Sequence, residues 1–291
     1  NINTDFIDNS GGVDMSDHEV NLKILLNPMV SEGELGIDER NKILELLTDE
    51  VAADVLNNND NHARQLSLDV IRSERDPMWF SSTIDWACQR SLRSRFELQL
   101  PSDDDLLRRV ANRQGLTRPE LATLQAHVKI HVYNALQKAD PSALTGFQQM
   151  VLDYFPTTIR KRWPEAISNH MLYQSIGATV LTNRIVGLSG SWFFPLVTEL
   201  TGASIERIAS AWISAYELVG GAEIASALAN SDAPFQSRYR AWIMVSDAML
   251  ELVVGWCTPG EKTPDPAQLG AIKEALQRLG RIAGAAKDDR L

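Results

Sequence analysis

Apolar residues recur at spacings of three and four along most of this 291-residue chain, a period that only packed helices can bury. Leu44, Leu47, Val51 and Val55 keep it, as do Leu121, Leu124, Val128, Val132 and Leu136. Ile208, Trp212, Ala215 and Val219 repeat it, then Trp242, Val245, Met249, Leu252 and Trp256. Leu269, Ile272, Leu276 and Leu279 predict a last helix after Pro264 and Pro266. Helix starts are also legible. Thr117-Arg118-Pro119-Glu120 reads as a capping box with proline in the first turn. Ser102 precedes three aspartates, where the helix macrodipole favours acids. The polar run Asn57-Asn58-Asn59-Asp60-Asn61 is expected to end one helix. A second should cover about 62–75, with Pro77 interrupting and another running to about residue 98.

The beginning breaks the pattern. Ile2-Asn3-Thr4-Asp5-Phe6-Ile7 reads as one short strand, followed by the turn cluster Asp8-Asn9-Ser10-Gly11-Gly12. A helix is then expected to start at Ser16, which forms a capping box with Glu19. Its apolar face, Val20, Leu22, Ile24, Leu25, Leu26 and Met29, lasts until Pro28 and the Gly33/Gly36 loop. No alternating strand pattern follows residue 8, so the bulk of the chain is expected to be all-α.

Composition narrows the function. A 44% hydrophobic and 23% charged chain is ordinary globular protein, long enough to build its own core. Cys88 and Cys257 are too few for a disulfide framework, which suits a reducing, cytoplasmic setting. No run approaches the roughly 20 apolar residues that span a bilayer, so a membrane partner is not expected. Asn1-Ile2-Asn3-Thr4 lacks the basic and apolar regions of a secretion signal. It also lacks an initiating methionine, so the chain is expected to be part of something longer. The net charge of −10 is local: residues 1–60 hold 14 acids and 3 bases, while the remainder holds 24 acids and 25 bases. With no basic stripe, nucleic acid is not an expected partner. The short basic runs Arg90/Arg93/Arg95 and Arg160-Lys161-Arg162 read as solvated helix faces.

One segment carries chemistry: Asn9-Ser10-Gly11-Gly12-Val13-Asp14-Met15-Ser16. A glycine junction before a helix lets a ligand approach the backbone and offers N–H groups to an anion. The order of residues resembles the Asn-Ala-Gly-Gly-Val-Thr-x-Ser stretch of glutamate dehydrogenases, which ends their nucleotide domain and faces the substrate cleft. The longer string from Asn3-Thr4-Asp5 to Lys23-Ile24 is similar to the large NAD-specific glutamate dehydrogenases of bacteria, which are several times longer than this chain. Leu47-Thr48-Asp49-Glu50-Val51-Ala52, Leu100-Pro101-Ser102-Asp103 and Gly115-Leu116-Thr117-Arg118-Pro119-Glu120-Leu121-Ala122 extend the likeness. Tyr154-Phe155-Pro156, Ala178-Thr179 with Asn183-Arg184, and Thr201-Gly202-Ala203-Ser204 carry it to about residue 220.

That resemblance implies a C-terminal fragment. Residues 1–30 would be the remnant of the catalytic domain, the last strand-turn-helix of a Rossmann-like nucleotide-binding domain, and residues 31–291 an all-α C-terminal domain. The parent would oxidise L-glutamate to 2-oxoglutarate and ammonia with hydride transfer to NAD, as a homo-oligomer. Asn9 matches the asparagine near the nicotinamide, Val13 the residue lining the substrate side chain, and Ser16 the serine bonded to the γ-carboxylate. Gly11 and Gly12 form the structural turn, while Asp14 and Ser10 depart from the threonine and alanine of the shorter hexameric enzymes. A plain N-cap would equally account for Ser16. The catalytic lysine, the acid/base carboxylate and the glycine-rich phosphate loop would lie upstream, so NAD is not expected to bind this fragment alone and it is expected to be inactive.

Other constellations are weaker. His127 and His131 have paired-ligand spacing but no third ligand nearby in sequence, so no metal is expected. Gly187-Leu188-Ser189-Gly190-Ser191 lacks the last glycine of a nucleophile elbow. The two cysteines and Trp192, Trp212, Trp242 and Trp256 read as packing residues. A rival class, a non-enzymatic helical interaction module, stands beside the enzyme reading.

Overall fold

A computed structural model describes residues 3, 4, 7, 9–144, 146–265, 267–272 and 274, and every regular element among them is helical. The N-terminal elements are α1 (Ser10–Ser31), α2 (Ile37–Leu46), α3 (Thr48–Arg75) and α4 (Ser81–Ser91), with a 3-10 turn at Pro77–Phe80. Then come α5 (Asp103–Asn112), α6 (Arg118–Leu136), α7 (Phe147–Tyr154), α8 (Thr157–Arg162), α9 (Pro164–Ser168) and α10 (Tyr173–Ser189). The last are α11 (Phe193–Thr201), α12 (Ile205–Val219), α13 (Gly221–Ala229) and α14 (Phe235–Cys257). Packing divides the chain into two compact units between Leu196 and Val197.

In the first unit α3 packs against α1, α6 and α10, and α10 also meets α6 and α7. Leu66, Phe80, Ile84, Leu121, Val128, Leu181 and Ile185 are fully buried there. The two expected N-terminal signals are present. Ser102 and Asp105 cap α5 reciprocally, and Thr117 and Glu120 do the same for α6, with Pro119 in the first turn. Glu120 also receives a bidentate pair from Arg109, both bonds 2.7 Å, tying α5 to α6. Burial alone would raise the Glu120 carboxyl, but the Arg109 and Thr117 hydrogen bonds outweigh it and hold the group below the usual carboxylate range.

A buried carboxylate stitches α3 to the turn after α10. Asp69 accepts from Gln65 Nε2 at 3.1 Å and from the Ser191 hydroxyl at 3.2 Å. Burial pushes its pKa up to about 6, with Arg72 and these donors pulling the other way. Gly190 at this turn has φ +100°, and a Cβ there would meet Asp69 Oδ1 at 2.8 Å and Gln65 Nε2 at 2.9 Å. In the second unit α12 packs against α13 and α14, with Trp212 stacked on Tyr216 at 4.9 Å. Arg207 donates to the Trp256 and Glu261 carbonyls at 3.1 and 2.8 Å, closing the end of α14.

Several expectations need correction. The run Asn57–Asn61 does not end a helix: α3 passes through it for 28 residues. Val51, Val55, Leu66 and Leu68 continue its buried stripe on either side, and packing there overrides the low propensity of asparagine. The expected helix across Leu44–Val55 is instead two helices abutting at Leu47. The helix after Pro77 stops at Ser91 rather than near 98, because Leu92 turns left-handed at φ +52°. Half of the expected strand at 2–7 lies outside the described residues, as do Leu276 and Leu279. Ile7, within it, is helical, its N–H bonded to the Thr4 carbonyl at 3.0 Å. Gly11 and Gly12 are not a turn with positive φ but the first turn of α1, which begins at Ser10, and Ser16 lies beyond its start rather than at the cap. No strand is present among the described residues to pair this backbone, so its amides take helical partners, as Val13 N–H does with the Asn9 carbonyl at 3.3 Å.

Two glycines of α10 make opposite predictions. A Cβ at Gly177 would run into the Phe147 ring, which is 2% exposed and cannot move aside. Gly177→Ala is expected to lose about 1–3 kcal/mol to overpacking, more than the roughly 1 kcal/mol of helix propensity it gains. Gly187 has open space around the same position. Gly187→Ala is expected to stabilise by about 0.5–1 kcal/mol, and urea unfolding of both variants checks the pair.

Candidate functional site

Helix α1 has two opposite stripes. At 100° per residue, positions 18, 22, 25 and 29 fall on one side, and positions 9, 13, 16 and 20 fall on the other. His18, Leu22, Leu25 and Met29 are all buried, between 3% and 7% exposed. Asn9 and Ser16 are exposed, as are Val13 at 57% and Val20 at 47%. The sequence-predicted residues Asn9, Val13 and Ser16 therefore share one open face. The Ser16 hydroxyl makes no hydrogen bond among the described residues. Gly12 keeps a role as a small residue, because a Cβ there would lie 2.8 Å from Asn9 Oδ1; Gly11 has nothing within 4 Å.

The buried stripe is seated by a polar cluster that the sequence did not single out. The His18 ring stacks on Tyr154 of α7, centroids 4.3 Å apart and planes within 9°. Asn21 donates to the Tyr154 hydroxyl at 2.8 Å, and His170 Nε2 lies 3.1 Å from the Asn21 carbonyl. Asn58 of α3 donates to Asp14 at 2.9 Å. Burial lowers the His18 pKa even though Asp14, Asp54 and Asp17 pull it upward, so the ring is neutral. The Tyr154 hydroxyl is raised by burial in the same cluster. Nearby, Lys129 Nζ lies 2.9 Å from His62 Nε2. Burial brings Lys129 down to about 8, and burial plus that ammonium bring His62 down to about 3. A neutral His62 accepting from a charged Lys129 satisfies both values. The available signal was the Asp14–His18 spacing of four, with an ionisable ring inside an apolar stripe.

The weaker candidates become structural. The Ser91 hydroxyl lies 3.0 Å from both His127 Nδ1 and His131 Nε2. One hydroxyl proton serves one ring, so the other ring donates to the oxygen. Among the described residues no group of three His, Cys, Asp or Glu side chains could hold a metal ion. Ser189 and Ser191 are buried, and Ser191 is engaged by Asp69. Cys88 and Cys257 are buried free thiols, both raised by burial. No described helix is long and apolar enough to cross a membrane.

Comparison with known proteins places this arrangement. A family model described as glutamate dehydrogenase, C-terminal, matches residues 113–278, and one for the catalytic domain of bacterial NAD-glutamate dehydrogenase matches residues 1–69. The chain is 38% identical over 215 residues to an NAD-specific glutamate dehydrogenase of Pseudomonas aeruginosa, covering 72% of this chain and 13% of that protein. It is 36% identical over 204 residues to one of Mycobacterium tuberculosis, covering 70% and 12%, and 36% identical over 217 residues to one of Halomonas elongata, covering 74% and 13%. The chain belongs to the NAD-specific glutamate dehydrogenase family of bacteria. It spans about 13% of the length of the curated relatives it matches.

The buried histidines set an acid limit on stability. His62 stays neutral in the fold down to about pH 3, whereas in the unfolded chain it takes a proton near 6.5, so falling pH between those values favours unfolding. Asp69 opposes this, because it binds its proton near 6 in the fold and near 3.8 when unfolded. His62→Gln keeps an acceptor for Lys129 and removes the titrating ring. Urea midpoints measured across that window should fall less steeply with acid in His62→Gln than in the unmodified chain.

Proposed function

We propose that this chain is the C-terminal part of an enzyme that oxidatively deaminates L-glutamate to 2-oxoglutarate and ammonia, passing the hydride to NAD. The observation that carries the reading is the open stripe Asn9–Val13–Ser16 on α1, set opposite the stripe that the helical core buries. In the longer protein this stripe forms one wall of the substrate cleft. Ser16 donates to the γ-carboxylate of glutamate, Val13 lines its methylenes, and the Asn9 carboxamide lies towards the nicotinamide. Residues 1–30 complete the nucleotide-binding domain, with Gly11 and Gly12 in the first turn of α1. Residues 31–291 form the all-α domain that supports it and helps subunits assemble into a homo-oligomer.

This chain's own residues do not fit NAD by themselves. It holds no Gly-x-Gly-x-x-Gly loop for the pyrophosphate, and residues 1–60 carry 14 acids against 3 bases. Lys23, the lysine within residues 1–30, is paired with Glu19. Proton transfer and carboxylate binding at Cα therefore fall to groups elsewhere in the longer protein. The residues here shape, orient and exclude water.

Two measurements test the reading. The longer protein should reduce NAD only when glutamate is present, and the 291-residue chain alone should not. Absence of that activity in the longer protein leaves a helical interaction module in its place. In the active enzyme Ser16→Ala is expected to raise the glutamate KM about tenfold or more, the cost of one hydrogen bond to a charged group. Because Ser16 is exposed and caps nothing, the same change should leave the urea midpoint of this chain within about 0.5 kcal/mol of the parent. An unchanged KM removes Ser16 from the substrate.

A further inference from the structure

On the far side of α1 from Ser16 lies a pocket of about 260 Å³, bounded by α1, α3, α7 and α10. Of the thirteen residues that line it, Val180 alone is aliphatic. That volume equals roughly nine water volumes, enough for a small organic molecule. Three features of its wall point to a ligand. His18 borders the pocket with its side chain 4% exposed, yet its Nε2 has no hydrogen-bond partner; Asp14 Oδ1 lies 3.8 Å away, beyond hydrogen-bond reach. A buried polar atom left unmatched costs free energy that a ligand can recover. Asp54, on α3, has no ion-pair partner among the described residues, and burial raises its carboxyl. Asp153 also borders the pocket but is committed to Arg160 at 2.9 Å. On the α10 side stand Asn183 and Arg184, the latter without an ion-pair partner among the described residues.

The charged groups of the wall are therefore divided, with the Asp14 and Asp54 carboxylates on α1 and α3 and the Arg184 guanidinium on α10. A metal ion does not suit it, because no three of the acidic and imidazole groups are placed to share one ion. An ammonium group does, because it donates up to three hydrogen bonds without a metal's fixed coordination distances, and the Asp14 and Asp54 carboxylates and the neutral His18 imidazole line the pocket. We propose that this pocket binds a small amino-carboxylate zwitterion, its ammonium held by Asp14, Asp54 and the His18 Nε2 lone pair and its carboxylate by Arg184 and Asn183. The site is separate from the Asn9–Val13–Ser16 face, and the proposal stands whether or not that face binds glutamate.

The test uses this chain, with γ-aminobutyrate as the zwitterion and methylammonium and acetate as its two halves. NMR titrations follow the His18 and His62 ring protons, and thermal melts confirm that each variant is folded. γ-Aminobutyrate should shift both rings and bind more tightly than either half. Asp54→Asn should weaken γ-aminobutyrate and methylammonium by about tenfold or more and leave acetate unchanged. Arg184→Met should weaken γ-aminobutyrate and acetate and leave methylammonium unchanged. The proposal is overturned if no probe moves the His18 ring in the folded parent chain. It is equally overturned if acetate alone binds as tightly as γ-aminobutyrate, or if folded Asp54→Asn binds the zwitterion as the parent does.

Discussion

Helix α1 is clamped at mid-length by the face-to-face contact of His18 with Tyr154, and the direction of every other α1 side chain follows from it. A helix has one rotational freedom about its axis, and the clamp removes it. With His18 turned inward, Leu22, Leu25 and Met29 must enter the core and Val13 and Ser16 must face out. The hydrogen bonds at Asn21, Tyr154 and His170 set the position along the axis as well as the rotation. The proposed substrate wall is thus positioned by side chains that do not touch substrate.

Burial and charge interact differently at Asp69, Lys129 and His18. At Asp69 the ion is surrounded by hydroxyl and amide donors, so a carboxyl that burial would neutralise stays useful as a knot between α3 and the turn after α10. At Lys129 the ammonium lies against a neutral ring, and the Asp14 carboxylate favours its charged form against burial. At His18 neither solution is present: the ring is neutral, stacked and one nitrogen short of a partner. The first is a closed network that ties two elements together, whereas His62 of the second and His18 of the third both border the same cavity.

Helix identity was legible because a 3.6-residue period survives any packing arrangement, and the capping boxes at Ser102 and Thr117 were legible because they need only four consecutive residues. The break at Leu47 and the continuity through Asn57–Asn61 were not, since both depend on what α3 packs against. The Gly11-Gly12 pair shows the same limit from the other side: glycine permits a turn without requiring one, and the backbone took the hydrogen bonds within reach. The stripe of Asn9, Val13 and Ser16 could be drawn from order and spacing. The Asp14–His18–Asp54 pocket could not, because Tyr154 and Arg184 reach it from more than a hundred residues away.

That separation has a consequence in time. The Asn21–Tyr154 and Asn21–His170 contacts span 133 and 149 residues. At a synthesis rate of about 5–20 residues per second, the far half of the α1 seat arrives roughly 7–30 s after the helix itself has been made. Over that interval α1 can pair with α3, but its axial position is unset. The segment closest to the proposed substrate therefore reaches its final position well after it is made, with that helix waiting for Tyr154 and His170.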